Sequence, residues 1–574
     1  MEKISFKHVT FQYPLADHPA LQDISFEVKP SEFIVVCGRS GCGKSTLLRH
    51  MKKNMMPYGA RSGELLYDGE PLEQLDERKS ASQIGFVQQN PEHQLVTDKV
   101  WHELAFGLES LGLPVKVIKR RVAEMTSYFG IQTWFRKDVH QLSGGQKQLL
   151  NLASVMAMQP QLLILDEPAS QLDPISASDF LQTVYKINRD LGTTVILSEH
   201  RLEEVFPMAD RVMVMDEGKI AAFDTPGKIG HILAGEETPH PMFYGLPGVM
   251  RMFAPLGQVQ ENSPLTIREG RLWMEHVMAG LPEEKRPEIV PDQEKKAHAI
   301  LKTGYRKEHR KKEPAIVLKD LWFRYEKKLP DVLRGLSLEV FKGEWYCLLG
   351  GNGTGKSTAL KTICNILSPQ RGRIYVDGIP VKKETESQIF DHRLAMVPQN
   401  PQSLFTEITV EEELLESLAF LPLEAEIKIE KVEQMLSKMG IVHLRKANPY
   451  DLSGGEQQRL AIGKILLLEP TILLMDEPTK GLDPFFKRNL AELLGGLRDQ
   501  GVTIFMVSHD IEFCAAYADV CAMFFDGEIV AQSSPAEFFS GNNFYTTTAN
   551  KIVRKWQPKM ITCEEVAQWL QEMV

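Results

Sequence analysis

Short apolar runs alternate with amphipathic, helix-like stretches through two long parts of the chain. The first residues, MEKISFKHVTFQY, alternate polar and apolar side chains as a half-buried strand does. Uninterrupted apolar runs at residues 33–37, 162–166, 345–349 and 472–476 each lead into a glycine-rich loop or end in an acid. Such runs are typical of buried parallel strands whose carboxyl ends line a ligand-binding crevice. We therefore predict an α/β fold with two domains, each a parallel sheet with crossover helices.

The same ordered series of motifs occurs twice, and Lys356 follows Lys44 by 312 residues. The repeated pairs are GRSGCGKST and GGNGTGKST (38–46, 350–358), QQNP and PQNP (88–91, 398–401), LSGGQ and LSGGE (142–146, 452–456), LLILDEP and ILLMDEP (162–168, 472–478), SQLDP and KGLDP (170–174, 480–484), and ILSEH and MVSHD (196–200, 506–510). A fixed period of this kind indicates a duplicated domain. We place the two copies at residues 1–230 and 314–545.

Periodicity fades in residues 231–313, where proline, glycine and charged residues predominate. We interpret this part as an accessory segment followed by a linker. Residues 264–277 are predicted to form a hairpin around Glu269 and Gly270. The basic stretch 294–312 could contact nucleic acid or lipid headgroups, but a solvated linker is favoured.

The C-terminal residues 546–574 are predicted to form a helical tail. Thr562 and Glu565 match a capping box, in which the side chain of each residue accepts a hydrogen bond from the backbone N–H of the other. The apolar residues that then fall on one helical face are Val566, Trp569, Leu570 and Met573. We expect a helix that docks on the second domain.

Composition excludes several classes of protein. The chain has 574 residues, 43% hydrophobic and 25% charged, as expected of several globular domains. Its net charge of −10 gives no overall positive field, so a nucleic-acid partner is not expected. Seven scattered cysteines without a C-x-x-C pair predict neither a disulfide framework nor a zinc site, and fit a reducing cytoplasm. No signal peptide or run of about 18 apolar residues is present, so a membrane role would require partner proteins.

Two loops of the form G-x-x-x-x-G-K-S are predicted to bind nucleotide phosphates through their backbone N–H groups. Lys44 and Lys356 should reach the β- and γ-phosphates, and the hydroxyls of Ser45 and Ser357 should ligate Mg²⁺. Because Cys42 lies inside the first loop, we expect a thiol reagent to block this site and ATP to protect it. The residues assigned to the two loops are Gly38, Gly41, Gly43, Lys44, Ser45, Thr46, Gly350, Gly353, Gly355, Lys356, Ser357 and Thr358.

An acidic pair follows each of two apolar runs. Asp166 and Asp476 are predicted to hold Mg²⁺ through water, and Glu167 and Glu477 to polarise the attacking water. Alone, such a pair would be interpreted as a strand-end turn. Its position between a phosphate loop and an L-D motif favours a catalytic role for the pair.

A histidine follows a further apolar run in each repeat, and we predict that His200 and His509 contact the γ-phosphate. His509 follows His200 by 309 residues, whereas Asp476 follows Asp166 by 310. Because of this one-residue slip, the sequence does not determine the geometry of the first site. Both repeats nevertheless keep their lysine, glutamate and histidine, so two hydrolysing sites are expected.

The LSGG motifs begin a helix with exposed backbone donors that can bind phosphate. Each repeat already has a phosphate loop, so this second set could serve a nucleotide held by the other repeat. A plain helix-capping turn is the alternative. The residues concerned are Ser143, Gly144, Gly145, Gln146, Ser453, Gly454, Gly455 and Glu456.

The ordered set of phosphate loop, glutamine loop, LSGG, D-E-P, L-D and histidine resembles the ATP-binding-cassette (ABC) ATPases over roughly 450 residues. The resemblance implies a P-loop parallel-sheet core with an antiparallel β subdomain and a helical subdomain. It also implies two ATP molecules sandwiched between head-to-tail domains. One site would combine Lys44, Ser45, Gln89, Asp166, Glu167 and His200 with Ser453, Gly454 and Gly455. The other would combine Lys356, Ser357, Gln399, Asp476, Glu477 and His509 with Ser143, Gly144 and Gly145.

The resemblance assigns four further roles. Gln89 and Gln399 would contribute to the Mg²⁺ sites. Tyr13 and Tyr325 match the aromatic residue that stacks on adenine, with a core aromatic as the alternative. Asp173 and Asp483 match a loop that crosses the domain interface. The first repeat departs from the usual pattern at Ala169, where threonine is commoner, and in its SEH tripeptide.

Residues 89–114 and 198–205 resemble the ATPases of energy-coupling-factor (ECF) importers of vitamins and metal ions, and the duplication resembles the double-cassette type linked to thiamine precursor or cobalt. That resemblance implies a transmembrane coupling subunit and a small substrate-capturing membrane subunit, with this chain peripheral at the cytoplasmic face. The residues after Gln89 and Gln399 would receive the coupling subunit.

Two other classes share the cassette motifs. Tandem cassette proteins that act on ribosomes join their domains by a long helical hairpin, which the Pro- and Gly-rich residues 240–257 disfavour. DNA-repair cassettes carry large insertions, which do not fit between Lys44 and Ser143. An exporter ATPase cannot be separated from an importer by these motifs.

Overall fold

The computed structural model describes residues 2–573 except 15, 17, 171, 236–237, 257–262, 290–311, 352 and 420. These residues form two compact units, Met1–Thr266 with Asp483–Phe485, and Ile267–Leu482 with Phe486–Val574. Within the described ranges, every helix is too short or too polar to cross a bilayer.

The first unit contains ten strands and nine helices among its described residues. The strands are β1 (Ile4–Gln12), β2 (Leu21–Val28), β3 (Phe33–Gly38), β4 (Ala60–Tyr67), β5 (Glu70–Pro71), β6 (Ile84–Val87), β7 (Leu162–Asp166), β8 (Thr194–Ser198), β9 (Arg211–Asp216) and β10 (Lys219–Asp224). The helices are α1 (Lys44–His50), α2 (Glu77–Gln83), α3 (Val100–Ser110), α4 (Val115–Tyr128), α5 (Gly144–Ala157), α6 (Pro174–Leu191), α7 (Leu202–Val205), α8 (Pro226–Ala234) and α9 (Gly248–Phe253).

Two sheets organise this unit. An antiparallel sheet has the order β2-β1-β4-β5, and a six-stranded sheet has the order β10-β9-β3-β8-β7-β6, parallel except for β10. Strands β3, β7 and β8 are buried along their whole length, which explains why they have no polar alternation. Helices α3, α4 and α5 pack on one another as a helical layer. The carboxyl ends of β3 and β7 therefore deliver the phosphate loop and the acidic pair to one edge of the sheet.

The second unit repeats this plan. Its strands are β11 (Pro314–Phe323), β12 (Leu333–Phe341), β13 (Trp345–Leu349), β14 (Arg371–Val376), β15 (Ile379–Pro380), β16 (Leu394–Val397), β17 (Ile472–Asp476), β18 (Thr503–Val507), β19 (Val520–Phe525) and β20 (Glu528–Ser533). Its helices are α10 (Ile267–Gly280), α11 (Lys356–Ile363), α12 (Glu386–Phe390), α13 (Val410–Ser417), α14 (Ala425–Met439), α15 (Gly454–Leu466), α16 (Pro484–Asp499), α17 (Ile511–Tyr517), α18 (Pro535–Ser540), α19 (Thr548–Val553) and α20 (Cys563–Met573).

The sheets of the second unit have the orders β12-β11-β14-β15 and β16-β17-β18-β13-β19-β20. This is the topology of the first unit, with strands β16 to β19 parallel and β20 antiparallel. The predicted α/β class, with an antiparallel sheet and a helical layer beside each parallel core, is confirmed.

The hairpin predicted around Glu269 and Gly270 is wrong, because these residues lie inside α10. Its buried residues are Gly270, Trp273, Met274 and Met278, a spacing of three and four that marks one helical face. The basic stretch 294–312 lies almost entirely outside the described residues.

The capping box predicted for the C-terminal helix is confirmed. The Glu565 N–H donates to Thr562 Oγ1 at 3.2 Å, and the Thr562 N–H donates to Glu565 Oε2 at 3.0 Å. Val566 and Leu570 are buried. Helix α10 packs against α19 of the same unit, where Arg271 Nε donates to the Lys551 carbonyl at 2.8 Å.

Candidate functional site: a phosphate loop and an acidic pair in each repeat

The phosphate loop of the first unit lies between β3 and α1. Gly43 precedes α1 with a φ of 102°, and a Cβ there would approach the Ala20 carbonyl oxygen to 2.5 Å, so only glycine fits. Lys44 Nζ donates to the carbonyls of Gly38 at 3.0 Å and Arg39 at 3.1 Å. Two backbone carbonyls of the loop thus hold the ammonium group of Lys44 in place.

The loop of the second unit has the same construction. Gly355 has a φ of 109°, and Lys356 Nζ donates to the carbonyls of Gly350 at 3.0 Å and Gly351 at 2.7 Å. Both lysines are buried. The predicted role of each loop lysine therefore has the same geometric basis in both repeats.

A serine and an aspartate meet beside each loop. Ser45 Oγ donates to Asp166 Oδ1 at 3.0 Å, and Ser357 Oγ donates to Asp476 Oδ1 at 3.0 Å. Burial raises the pKa of both aspartates, and the adjacent glutamate adds to the rise. Hydroxyl and carboxylate oxygens are the donors that Mg²⁺ prefers, and a cation here would relieve the buried negative charge. The residues present therefore fit Mg²⁺.

Glu167 lies at the centre of a polar cluster in the first unit. Gln89 Nε2 donates to Glu167 Oε2 at 2.8 Å, His200 Nε2 lies 2.8 Å from Oε1, and Lys44 Nζ lies 3.8 Å from Oε1. Burial alone would raise the pKa of Glu167, but the charges and hydrogen bonds of His200 and Lys44 outweigh it and lower the pKa to about 2. This carboxylate is therefore ionised at neutral pH.

Glu477 has a related but simpler setting. His509 Nε2 lies 3.0 Å from Glu477 Oε1, and the His509 N–H donates to Oε2 at 3.1 Å. The equivalent Gln399 is exposed, and no hydrogen bond joins these two described side chains. The two predicted sites thus share the glutamate and histidine but differ at the glutamine.

Both glutamates have a backbone conformation that no sequence motif predicted. Glu167 has a φ of 43° and Glu477 a φ of 53°, in the left-handed region. Non-glycine residues in sparsely populated regions cost on the order of 1–3 kcal/mol and cluster at functional sites. Each glutamate follows the last residue of a strand, so the turn directs its side chain back towards the loop lysine.

The one-residue slip does not disturb the first site. Leu162 pairs with Thr194 across β7 and β8, and Ile472 pairs with Thr503 across β17 and β18. From Thr194 to His200, and from Thr503 to His509, the chain advances six residues in both cases. The additional residue of the first repeat therefore lies before β8, in α6 or the turn that follows it, and the histidines occupy equivalent positions.

The serines of the two LSGG motifs, Ser143 and Ser453, cap their own helices. The Gln146 N–H donates to Ser143 Oγ at 3.3 Å, and the Ser143 N–H donates to Gln146 Oε1 at 3.0 Å. In the second unit the Ser453 N–H donates to Glu456 Oε2 at 2.9 Å, and Ser453 Oγ donates to the same oxygen at 2.7 Å. The capping role is thus real in both repeats. The N–H groups of the two serines are used in these caps, whereas the glycines that follow them, Gly144 and Gly454, are exposed and accessible to a phosphate.

Tyr13 and Tyr325 lie beside the phosphate loops. The hydroxyl of Tyr13 lies 3.0 Å from Thr46 Oγ1, and that of Tyr325 lies 3.0 Å from Thr358 Oγ1. Tyr325 is 55% exposed, which excludes the core-aromatic alternative for this residue.

Asp173 caps α6 by accepting hydrogen bonds from the N–H groups of Ile175 and Ser176, both at 3.1 Å. The hydrogen bonds from Ser176 lower the pKa of Asp173. Asp483 directly precedes α16.

Comparison with known proteins identifies the family. The family model described as ABC transporter matches residues 21–170 and 333–480, within the two repeats. A Bacillus cereus protein assigned by name to the ABC transporter ATP-binding proteins is 43% identical, covering 97% of this chain and 96% of its own length. This chain belongs to the ABC transporter family. It is an ATPase with two ATP-binding cassettes.

Other members of the ABC family also align with this chain. A Methanosarcina acetivorans protein of the same assigned name is 34% identical, covering 94% of this chain and 87% of its own length. A solved structure described as cbiO1 from Clostridium perfringens, part of the ABC transporter complex cbiONQ, is 26% identical with a TM-score of 0.38 and covers 45% of this chain and 99% of that chain.

Sequence reasoning missed two residues that support the first site, Ser198 and Glu199. Ser198 Oγ donates to Asp166 Oδ1 at 2.9 Å and accepts the Glu167 N–H at 2.9 Å. Glu199 is buried and accepts the N–H groups of Ala169 at 2.9 Å and His200 at 3.1 Å. The glutamate of the unusual SEH tripeptide therefore fixes the backbone at Ala169 and His200. Burial raises the pKa of Glu199.

Proposed function

We propose that this ABC ATPase is the energy-coupling subunit of a membrane transporter, an ECF-type importer of a vitamin, a vitamin precursor or a metal ion. Its partners would be a transmembrane coupling subunit and a small substrate-capturing membrane subunit, with this chain peripheral at the cytoplasmic face of the membrane. The resemblance of residues 89–114 and 198–205 to ECF ATPases supports the finer assignment.

The observation that carries the proposal is that the glutamine bonded to Glu167 begins a segment with exposed apolar residues. Gln89 donates to Glu167, and the chain continues from Gln89 to Val96 and Trp101, which are 66% and 44% exposed. Exposed apolar groups of this size mark interaction surfaces when they are grouped. A change around Glu167 during hydrolysis would therefore move a surface suited to a partner protein.

The loop that presents this surface is held in place. Glu103 is buried, and its Oε2 accepts the N–H groups of Val96 at 3.2 Å and Thr97 at 2.8 Å. The equivalent Glu413 of the second unit is also buried and accepts the N–H of Glu407 at 2.7 Å. An anchored loop transmits displacement better than a free one, as energy coupling requires.

The two surfaces differ chemically. Where the first cassette exposes Trp101, the second has Glu411, which pairs with Arg445. Its own exposed apolar residue is Ile408, 73% exposed. Two different surfaces suit a coupling subunit that presents a different segment to each cassette.

For the chemistry, we propose that Glu167 and Glu477 polarise the attacking water and that His200 and His509 contact the γ-phosphate. Mg²⁺ held by Ser45, Asp166 and Gln89, and by Ser357, Asp476 and Gln399, would neutralise developing phosphate charge. From the resemblance we further propose that each ATP-binding site is completed by the LSGG motif of the other cassette. The exposed backbone donors at Gly144 and Gly454 support that role.

The test is co-purification of the full chain with membrane proteins after solubilisation in detergent. A Val96→Asp and Trp101→Asp double variant should lose the membrane partner while the chain's own ATP binding is retained. Leu191→Asp, at an exposed residue at the end of α6, is the matched control and should keep the partner. Wild-type chain that recovers no multi-span membrane protein, or a double variant that retains its partner, would contradict the proposal.

A further inference from the structure

The segment that follows the first cassette, residues 238–256, is built into the first unit. Met242, Phe243, Leu246 and Met250 are buried in its hydrophobic core. The Gly248 N–H, at the start of α9, donates to Glu203 Oε1 at 2.7 Å. Because Glu203 lies in α7, three residues after His200, this post-cassette segment is fixed to the nucleotide-binding part of its own cassette.

His240 is the residue of this segment that faces the phosphate loop. Its N–H donates to the Leu233 carbonyl at 2.8 Å, and its Nδ1 accepts the Met242 N–H at 3.2 Å. With Nδ1 acting as an acceptor, the ring proton lies on Nε2. Nε2 is 3.2 Å from Asp216 Oδ2.

Asp216 connects His240 to the loop. Strand β9 pairs Met215 with Gly38, so the next residue, Asp216, lies beside Arg39. Arg39 donates from Nε at 2.9 Å and from Nη2 at 2.7 Å to Asp216 Oδ1. The carbonyl of the same Arg39 accepts Lys44 Nζ at 3.1 Å. A continuous chain of polar contacts thus runs from His240 to the lysine predicted to bind the triphosphate.

The second cassette is built differently at both positions. Gly351 stands where the first loop has Arg39, and Phe525, 63% exposed, stands where the first cassette has Asp216. The Gly351 carbonyl still accepts Lys356 Nζ at 2.7 Å. The lysine is therefore held by the same backbone group, but the loop lacks the side-chain anchor that fixes that group in the first cassette.

We propose that His240 is a positioning residue for the first nucleotide site. Through Asp216 it fixes Arg39, and hence the carbonyl that orients Lys44, so that the post-cassette segment sets ATP affinity at the first site and leaves the second unaffected. A fixed loop loses less conformational freedom when the phosphates bind, which favours affinity over turnover. The proposal concerns ATP binding alone and does not depend on the transporter role.

The experiment measures ATP affinity in full-length chains with one working loop. In the Lys356→Ala chain only the first loop keeps its lysine, so ATP binding is measured at the first site. In the Lys44→Ala chain it is measured at the second. In the Lys356→Ala background, His240→Ala should raise the dissociation constant for ATP by about three- to fivefold, as expected for one partly exposed hydrogen bond to a carboxylate. His240→Gln, which keeps a donor towards Asp216, should restore part of the loss. In the Lys44→Ala background the same substitution should change nothing.

A double-mutant cycle separates positioning from general destabilisation. Once Arg39→Gly has made the first loop resemble the second, His240→Ala should cause no further loss of affinity. His231→Ala, at a partly exposed histidine in α8, is the matched control and should be silent in every background. An equal loss in both single-loop backgrounds, or an undiminished loss in the Arg39→Gly chain, would overturn the proposal.

Discussion

The side chains of Glu167 and His200 meet at 2.8 Å between Oε1 and Nε2, and the corresponding atoms of Glu477 and His509 lie 3.0 Å apart. In both cassettes the contact joins the residue after one strand to a residue beyond the end of the neighbouring strand. A histidine in this position can orient the carboxylate before the nucleotide arrives. The contact is formed twice despite the unequal lengths of the preceding helices, which indicates that strand pairing, and not helix length, determines it.

Substitution of both glutamates should stop hydrolysis. In a Glu167→Gln and Glu477→Gln chain we expect ATPase activity to fall by at least about a hundredfold, because an amide cannot accept the proton of water. Binding of ATP should persist, since the loop lysines are unchanged. Phosphate release and fluorescent-nucleotide binding measure the two effects, and retained turnover would refute the assignment.

The two histidines should be equally important. Because the chain from strand to histidine has the same length in both cassettes, His200→Ala and His509→Ala should reduce hydrolysis at their own sites by similar factors. Each is measured as phosphate release in a chain whose other site carries the Glu→Gln substitution. A silent His200→Ala beside a damaging His509→Ala would show that the first cassette is distorted.

Glu167 should contribute a pH-dependent part of the stability. Its pKa falls from 4.5 to about 2 in the folded chain, so the folded state binds fewer protons than the unfolded state between these values. Stabilisation by the ionised carboxylate is therefore complete above about pH 4.5 and is lost as the pH falls towards 2. The difference in melting temperature between wild type and Glu167→Gln should therefore change over this interval. Glu64→Gln, an exposed acid, is the control, and a difference that does not vary with pH would contradict the prediction.

Cys42 should react slowly, which revises the expectation from the sequence. Its thiol is buried under the loop, and burial raises its pKa, so little thiolate forms at neutral pH. We expect labelling by a maleimide at least about tenfold slower than that of a free thiol, slowed further by ATP. Peptide mass spectrometry distinguishes Cys42 from the other six buried cysteines. Rapid labelling would show that the loop opens freely.

The tyrosines beside the loops should bind adenine by stacking. Tyr13→Phe and Tyr325→Phe keep the ring and should bind ATP almost as well as wild type, whereas the alanine variants should lose about three- to tenfold in affinity, as expected for one aromatic contact. Titration with ATP in single-loop backgrounds provides the measurement. If loss of the hydroxyl alone has the full effect, the contact with Thr46 or Thr358 matters instead.

The sequence by itself determined the duplication, the α/β class and the phosphate loops. These features depend on local patterns: an apolar run, glycines where the backbone needs positive φ, and a lysine at a fixed spacing. The capping box of Thr562 and Glu565 was equally local. The hairpin prediction around Glu269 and Gly270 was wrong because it gave more weight to the central glycine and the strand-forming residues beside it than to the helical spacing. That spacing became evident only from the packing of the buried residues.

Only the tertiary structure decided which side chains meet. The contacts of Glu167 with Gln89 and His200 join residues from three strand ends, and pairing across the sheet aligns those ends. The same pairing showed that the one-residue slip lies before β8 and is harmless. His240 comes from a segment without periodicity and reaches Arg39 through Asp216, the last residue of β9. Contacts between residues so far apart in the chain depend on long-range packing, which no local pattern encodes.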